Sequence, residues 1–169
     1  MGTNIAGFDF GCATTGSCNV SQAYPPLSTL GGPDGLGQMQ HFSKDDGFNI
    51  FRLPVGWQWL VNNQLGGTLD ATNFGKYDQL VQGCLATGAA CVIDIHNCKV
   101  LLQMYDGIPS NCVIDARWNG QIIGQGGPTN DQFVNLWTQL ATKYASQEKV
   151  MFGLMNEVCL LSILVMDNY

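Results

Sequence analysis

The stretch D70-ATNFGKYDQLVQGCLATGAACVIDIH-N97 changes its periodicity once, and that change indicates the kind of fold. Phe74, Tyr77, Leu80, Val81, Cys84 and Leu85 recur at three- and four-residue intervals, the spacing of one buried helix face. After Thr87-Gly88 the pattern becomes a short continuous apolar run, AACVIDIH, which suits a strand covered on both sides and ends at His96. The same unit recurs on either side. Upstream, NIAGFDF (4–10) predicts a first strand, followed by a Pro/Gly-rich loop through SQAYPPLSTLGGPDGLG. Asp34 is placed to cap a helix running through GLGQMQHFSKDDG and ending at Gly47. FNIFRLPV (48–55) predicts a second strand carrying Arg52, and GWQWLVNNQLGG (56–67) reads as a loop rich in aromatics and amides. Downstream, PTNDQFVNLWTQLATKYASQ (128–147) predicts a helix capped near Thr129 or Asn130, with Phe133, Leu136, Trp137, Leu140 and Tyr144 on its apolar face. KVMFGLMNE (149–157) predicts a fourth strand. The order β-α-β-α-β-α-β argues for an α/β fold with a parallel sheet and helical crossovers.

Composition narrows the function classes. The 169 residues carry a net charge of -6, with seven Lys and Arg scattered singly. No basic patch is available to neutralise phosphates, so nucleic acid is not an expected partner. The seven cysteines are unusual for a reduced cytosolic domain. Cys12 and Cys18 bracket one short loop and Cys84 and Cys91 bracket the helix–strand turn, spacings that allow two local disulfides in an oxidising compartment. No CxxC pair and only two histidines accompany them, so a metal site is not expected. Cys98, Cys112 and Cys159 are left over. The start, MGTNIAGFDFG, has neither the basic nor the apolar region of a signal peptide. Asn19-Val20-Ser21 forms a glycosylation sequon usable by an exported chain.

Three strands end in polar residues suited to a site: Arg52, His96 and the pair Asn156-Glu157. In parallel βα folds the C-terminal strand ends face the ligand, and in barrels they line a common pocket. A nucleotide-binding fold is not expected, because GFDFGCATTG lacks the GxGxxG spacing after the first strand. These residues, together with GQMQHF, IFRLPVGWQWLVNNQLGG, KYDQLVQGCLATGAACVIDIHN, ARWNGQIIGQGGPTNDQF and VMFGLMNE, resemble glycoside hydrolase family 5, and within it the secreted endoglucanases of filamentous fungi. The resemblance covers residues 4–97 and 116–157. It implies the first half, about four βα units, of a TIM (β/α)8 barrel, acting on β-1,4-glucan outside the cell with no cofactor, metal or membrane.

By that resemblance Glu157 is the general acid/base of a retaining double displacement, and Asn156 hydrogen-bonds the sugar 2-hydroxyl. Arg52 steadies the nucleophile's carboxylate and His96 helps form a subsite. Trp57, Trp59 and Trp118 are expected as sugar platforms, since a pyranose presents an apolar C–H face to an aromatic ring. Trp137 and His41 are expected to be structural, and Asp94 either orients a neighbour or belongs to the scaffold.

Two stretches depart from the family. Residues 98–115 stand where a short connection, usually one aromatic, is expected, and residues 158–169 form an apolar tail too short for a membrane span. Cys98-Lys99 admits the codons T-GTAAG, a common splice donor, and Ile114-Asp115 admits ATAGAY, with an intron-ending AG. Joining the flanks restores a tyrosine codon between Asn97 and Ala116. Val158-Cys159 admits GTATGT, a second donor. Both stretches are therefore expected to be intron-derived, which accounts for the three surplus cysteines; the alternative is a natural loop insertion and an amphipathic C-terminal tail. A family domain over 1–157 that stops there lacks the nucleophile of the seventh strand, so the chain is expected to be inactive, with an open sheet edge. The competing expectation is a partial barrel that binds β-glucan through its tryptophans without cutting it.

Overall fold

The structure, a computed structural model, describes residues 1–13, 17–105 and 108–155. In chain order the elements are β1 (Gly2–Asn4), α1 (Gly35–Lys44), β2 (Ile50–Val55), α2 (Trp57–Leu60), α3 (Ala71–Ala86), β3 (Ala90–Ile95), β4 (Cys98–Tyr105), β5 (Ile108–Trp118), β6 (Gln121–Ile122), α4 (Asn130–Lys143) and β7 (Val150–Gly153). β1, β2, β3 and β7 form one parallel sheet in that order. The crossovers run through α1, α3 and α4, as the alternating periodicities predict. Each crossover helix starts on a side-chain cap. Asp34 accepts from the Gly37 amide at 2.9 Å, Asp70 from those of Thr72 and Asn73, and Thr129 and Gln132 close a reciprocal capping box. Each such cap contributes about 1 kcal/mol.

Alternation along β2 and β3 decides which residues enter the core. Phe51, Leu53, Val55, Cys91, Ile93 and Ile95 are fully buried, and α3 brings Tyr77, Leu80, Val81 and Cys84, also fully buried, into the same core. Removing each large apolar side chain from water supplies about 1.5–3 kcal/mol. Arg52, Val92 and Asp94 take the other face, with Arg52 opposite Val92 and Pro54 opposite Asp94. Asn4, Arg52 and Val92 help to line a hollow of about 480 Å³ on this sheet. The Tyr77 hydroxyl donates to the Leu53 carbonyl at 2.7 Å, fixing α3 against β2. Cys84 is bonded to Cys91, and Cys12 to Cys18.

The first strand is shorter than the sequence pattern suggests. Its ladder ends at Ile5, whose amide donates to the Arg52 carbonyl, and the chain rejoins β2 only at Phe8, bridged to Val55. Between them Gly7 adopts φ +143°, and a Cβ there would lie 2.3 Å from the Tyr24 carbonyl oxygen. Only glycine fits that approach. The departure also explains Pro54 inside a central strand, where proline is normally excluded. The Arg52 backbone faces β1, so that of Pro54, two residues on, faces the gap the chain leaves, where no donor is needed.

α2 replaces part of the expected loop at 56–67. β4 and β5 pair antiparallel from Cys98↔Ala116 to Tyr105↔Ile108, and neither joins the parallel sheet. β1 and β7 are its edges, and Met151, Phe152 and Leu154 are exposed on and just after β7, as the open-edge expectation requires. Trp137 is half-buried between Phe133 and Phe152, the structural place expected of it. Among the described residues no helix is long and apolar enough to cross a membrane.

Burial raises the Tyr77 hydroxyl well above its ordinary 10.0, with the Asp94 and Asp9 charges adding to the shift. Tyr144 is raised mainly by burial and further by the hydrogen bond its hydroxyl donates to Asp78 at 2.8 Å. Folded-state values above the unfolded ones mean that this stability is complete below pH 10 and is lost as pH rises further, where the unfolded chain releases protons that the folded chain retains. Urea midpoints of the wild type are expected to fall from about pH 8 to about pH 11. The Tyr77→Phe/Tyr144→Phe double variant, less stable at neutral pH, should show a distinctly flatter decline.

Candidate active site

Arg52 on β2 and His96, one residue beyond β3, meet at the carboxylate of Asp94. Arg52 Nη2 donates to Asp94 Oδ2 at 2.7 Å, and His96 Nδ1 lies 3.3 Å from the same oxygen and 3.4 Å from Arg52 Nη2. Arg52 Nη1 also reaches Asn4 Oδ1 on β1, at 3.5 Å. The Asp94 side chain is only 6% exposed, whereas those of Arg52 and His96 are 29% and 30% exposed. The anion thus lies beneath the two groups it holds. A buried carboxylate without its cation would be costly, on the order of 3–5 kcal/mol, so the guanidinium is tied in place. An ionised carboxylate only accepts and a guanidinium only donates, so Asp94 Oδ2 calls for a proton on His96 Nδ1 and Arg52 Nη2 for a lone pair there; the Arg52 nitrogen is already committed to Asp94 at 2.7 Å, and the bonding network therefore assigns the proton to Nδ1. That leaves Nε2 as the ring's acceptor.

Asp94 therefore orients its neighbours. The signal was available in the sequence: residues two apart on a strand share a face, and Asp94 precedes His96 by two. Asn4 carried no comparable mark.

A second polar network went unread. Asn97, 1% exposed, accepts from the Trp57 amide through Oδ1 at 2.6 Å and donates through Nδ2 to Gln58 Oε1, and Nδ2 lies 3.6 Å from Cys18 Sγ. Gln58, fully buried, donates onward to Asn119 Oδ1 at 3.2 Å. These contacts tie the first disulfide loop, α2 and residue 119 to the end of β3. Buried amides must find partners, and here they find one another.

The tryptophans correct an expectation. Trp57 is 0% exposed, Trp118 5% and Trp59 8%. Trp57 meets Trp118 edge-on, with centroids 5.0 Å apart, and packs on Phe133. Trp59 meets Phe8 edge-on, has Lys76 Nζ 5.7 Å from its ring centroid, and donates its indole N–H to the Asn73 carbonyl. Their rings are occupied in packing α2 and the neighbouring loops, so they are not open sugar platforms. His41 lies away from the strand ends on α1, against Asp45 at 2.7 Å, consistent with a surface role. Asn156 and Glu157, two residues of the expected constellation, lie outside the described residues. β7, which leads to them, is next to β3.

The family model described as Cellulase (glycosyl hydrolase family 5) matches residues 7–161. The chain belongs to this family. It is 62% identical over 160 residues to endoglucanase EG-II of Hypocrea jecorina, covering 92% of this chain and 34% of that protein. The crystal structure of Cel5A (EG2) from Hypocrea jecorina superposes with a TM-score of 0.81 at 61% identity, covering 93% of this chain and 44% of that one. XacCel5A in complex with cellopentaose shares the fold at 24% identity, with a TM-score of 0.67 over 93% of this chain and 42% of that chain. The chain spans about a third of the length of the curated relatives it matches. Its four parallel strands and their helices correspond to part of a (β/α)8 barrel.

Proposed function

We propose that these residues supply the acid/base half of an extracellular endo-β-1,4-glucanase site working by retaining double displacement. The observation that carries the reading is the Arg52–Asp94–His96 cluster on β2 and β3, beside the strand that leads to Asn156-Glu157. In this reading Glu157 protonates the glycosidic oxygen as the bond breaks, then as carboxylate takes a proton from the incoming water. Asn156 holds the 2-hydroxyl, and Arg52, fixed by Asp94, presents its guanidinium to the carboxylate nucleophile. His96 offers Nε2 to the sugar. The two disulfides suit export. No metal or cofactor takes part. A retaining glycosidase needs two carboxylates about 5–5.5 Å apart, and the residues assigned here supply one of them. The glucan-binding alternative lacks support, because the tryptophans it needs are packed inside.

The insert and tail are part of the proposal: 1–157 is family sequence, 98–115 is read-through intron, and 158–169 is non-family. The hairpin supports this. Cys98 and Ala116 are direct cross-strand partners, so the insert begins and ends at one place. Opposite Cα atoms in such a pair are about 5 Å apart. A tyrosine in the place of residue 98 then needs a closure of only about 1–2 Å, to the ~3.8 Å of consecutive Cα atoms, to join Asn97 to Ala116.

Three experiments test these points. A hybrid is built in which residues 4–97, one tyrosine and residues 116–157 replace the matching part of the Hypocrea jecorina enzyme. It should hydrolyse soluble cellulose derivatives, and Glu157→Gln should lower that rate by about 10²–10⁴-fold. The same variant should retain most of its glycosylation rate on a dinitrophenyl cellobioside, whose leaving group needs no proton; equal losses on both substrates contradict the acid/base role. The 169-residue polypeptide alone should release no reducing sugar above its own Glu157→Gln variant. For the insert, replacing 98–115 by tyrosine should leave the urea midpoint unchanged or raised, and spliced message should lack the corresponding codons. Message identical to genomic DNA across both stretches refutes the intron assignment.

A further inference from the structure

We propose that Asn19 is a site of N-linked glycosylation, carrying its oligosaccharide on the loop that folds over the ends of β2 and β3. The inference rests on the proposed export of the chain and on no feature of the glucan site. Asn19-Val20-Ser21 is the only Asn-X-Ser/Thr triplet in the sequence. Its two recognition residues are both exposed, while Val20 between them packs against the core. That inward valine fixes which way the triplet faces. The backbone is held as well: the Asn19 amide donates to the Gly11 carbonyl at 2.9 Å, and the Gln22 amide donates to the Asn19 carbonyl at 3.0 Å. The Cys12–Cys18 disulfide closes the loop one residue before the sequon.

The side-chain hydrogen bonds engage the oxygen of the Asn19 amide. Asn19 Oδ1 accepts from the Ser21 hydroxyl at 2.7 Å and from the Ser21 amide at 3.1 Å. Among the described residues Nδ2 donates no hydrogen bond, so the atom that must form the new bond is presented outward. A carboxamide nitrogen is a weak nucleophile because its lone pair is delocalised, so activation belongs to the transferase and presentation to this chain. The donor class is an oligosaccharide carried on a lipid diphosphate. Nδ2 forms a C–N bond to the anomeric carbon as the C–O bond to the diphosphate breaks. The diphosphate departs with the electron pair, and Nδ2 gives up one proton.

The folded loop accommodates the product. Cys18 Sγ lies 3.6 Å from Asn97 Nδ2 at the end of β3, and a Cβ added at Gly56 would lie 3.2 Å from Cys12 Sγ. The disulfide side of the loop thus faces the strand ends, and Asn19 and Ser21 face solvent. A glycan at Asn19 roots at the rim and displaces no buried contact.

The test is expression of the full chain behind a supplied secretory leader in a glycosylating host, with intact mass read on secreted and cell-retained protein. The wild type should carry one glycan, removed by an amidase that leaves aspartate at position 19. Asn19→Gln and Ser21→Ala should lose the added mass completely, and Ser21→Thr should keep it. An unmodified Asn19 in both fractions overturns the proposal, as does added mass that survives Asn19→Gln. Because the leader is supplied, the outcome is independent of the chain's native export, and hydrolysis by the hybrid enzyme is read separately.

Discussion

The parallel pairing of β2 with β3 is the constraint on which the rest of the structure depends. Its register sets Arg52 beside Val92 and Pro54 beside Asp94, so one parity of residues goes under α3 and the other toward the inner face of the sheet. A slip of one residue would place the Arg52 guanidinium against the Tyr77 and Leu80 side chains and lift Phe51 and Leu53 out of the core. The apolar parity therefore fixes the polar parity. Once the register is fixed, a buried carboxylate at Asp94 has a cation within reach, and a histidine two residues on shares its face. Core and site are two sides of one alternation.

That coupling explains which parts of the molecule were legible in the sequence. The helix-to-strand change at Thr87-Gly88, the caps at Asp34 and Thr129, and the strand-end positions of Arg52 and His96 depend on local spacing alone. The length of β1 does not. NIAGFDF has a strand-like pattern throughout, and only the approach of Gly7 to Tyr24, distant in sequence, shows why the ladder breaks. The tryptophans fail for a related reason. In GWQWLVNN the aromatics alternate with amides as they would on an exposed binding loop, yet Gln58 is drawn inside by Asn97 and Asn119, and α2 carries Trp57 and Trp59 in with it. Pairing between amides far apart in sequence leaves no periodic trace.

The family relationship and the geometry meet at different levels. Identity to endoglucanase EG-II over most of this chain places the sheet within a larger barrel, and the open edges at β1 and β7 are where that barrel would continue. The geometry adds how the inner face is organised. Asp94 lies beneath Arg52 and His96, and the Asn97–Gln58–Asn119 chain secures the loops around them. The β4–β5 hairpin stands outside the parallel sheet, its two ends pair with each other, and Trp118 at the end of β5 packs on Trp57.

The central claim is that Asp94 sets the position of the proton on the His96 ring. Long-range ¹⁵N–¹H correlation of the His96 ring, recorded on the 169-residue chain, measures this directly. The account predicts a neutral ring protonated at Nδ1, with Asp94→Asn redistributing the proton toward Nε2. A wild-type ring protonated at Nε2, unchanged by Asp94→Asn, would contradict it.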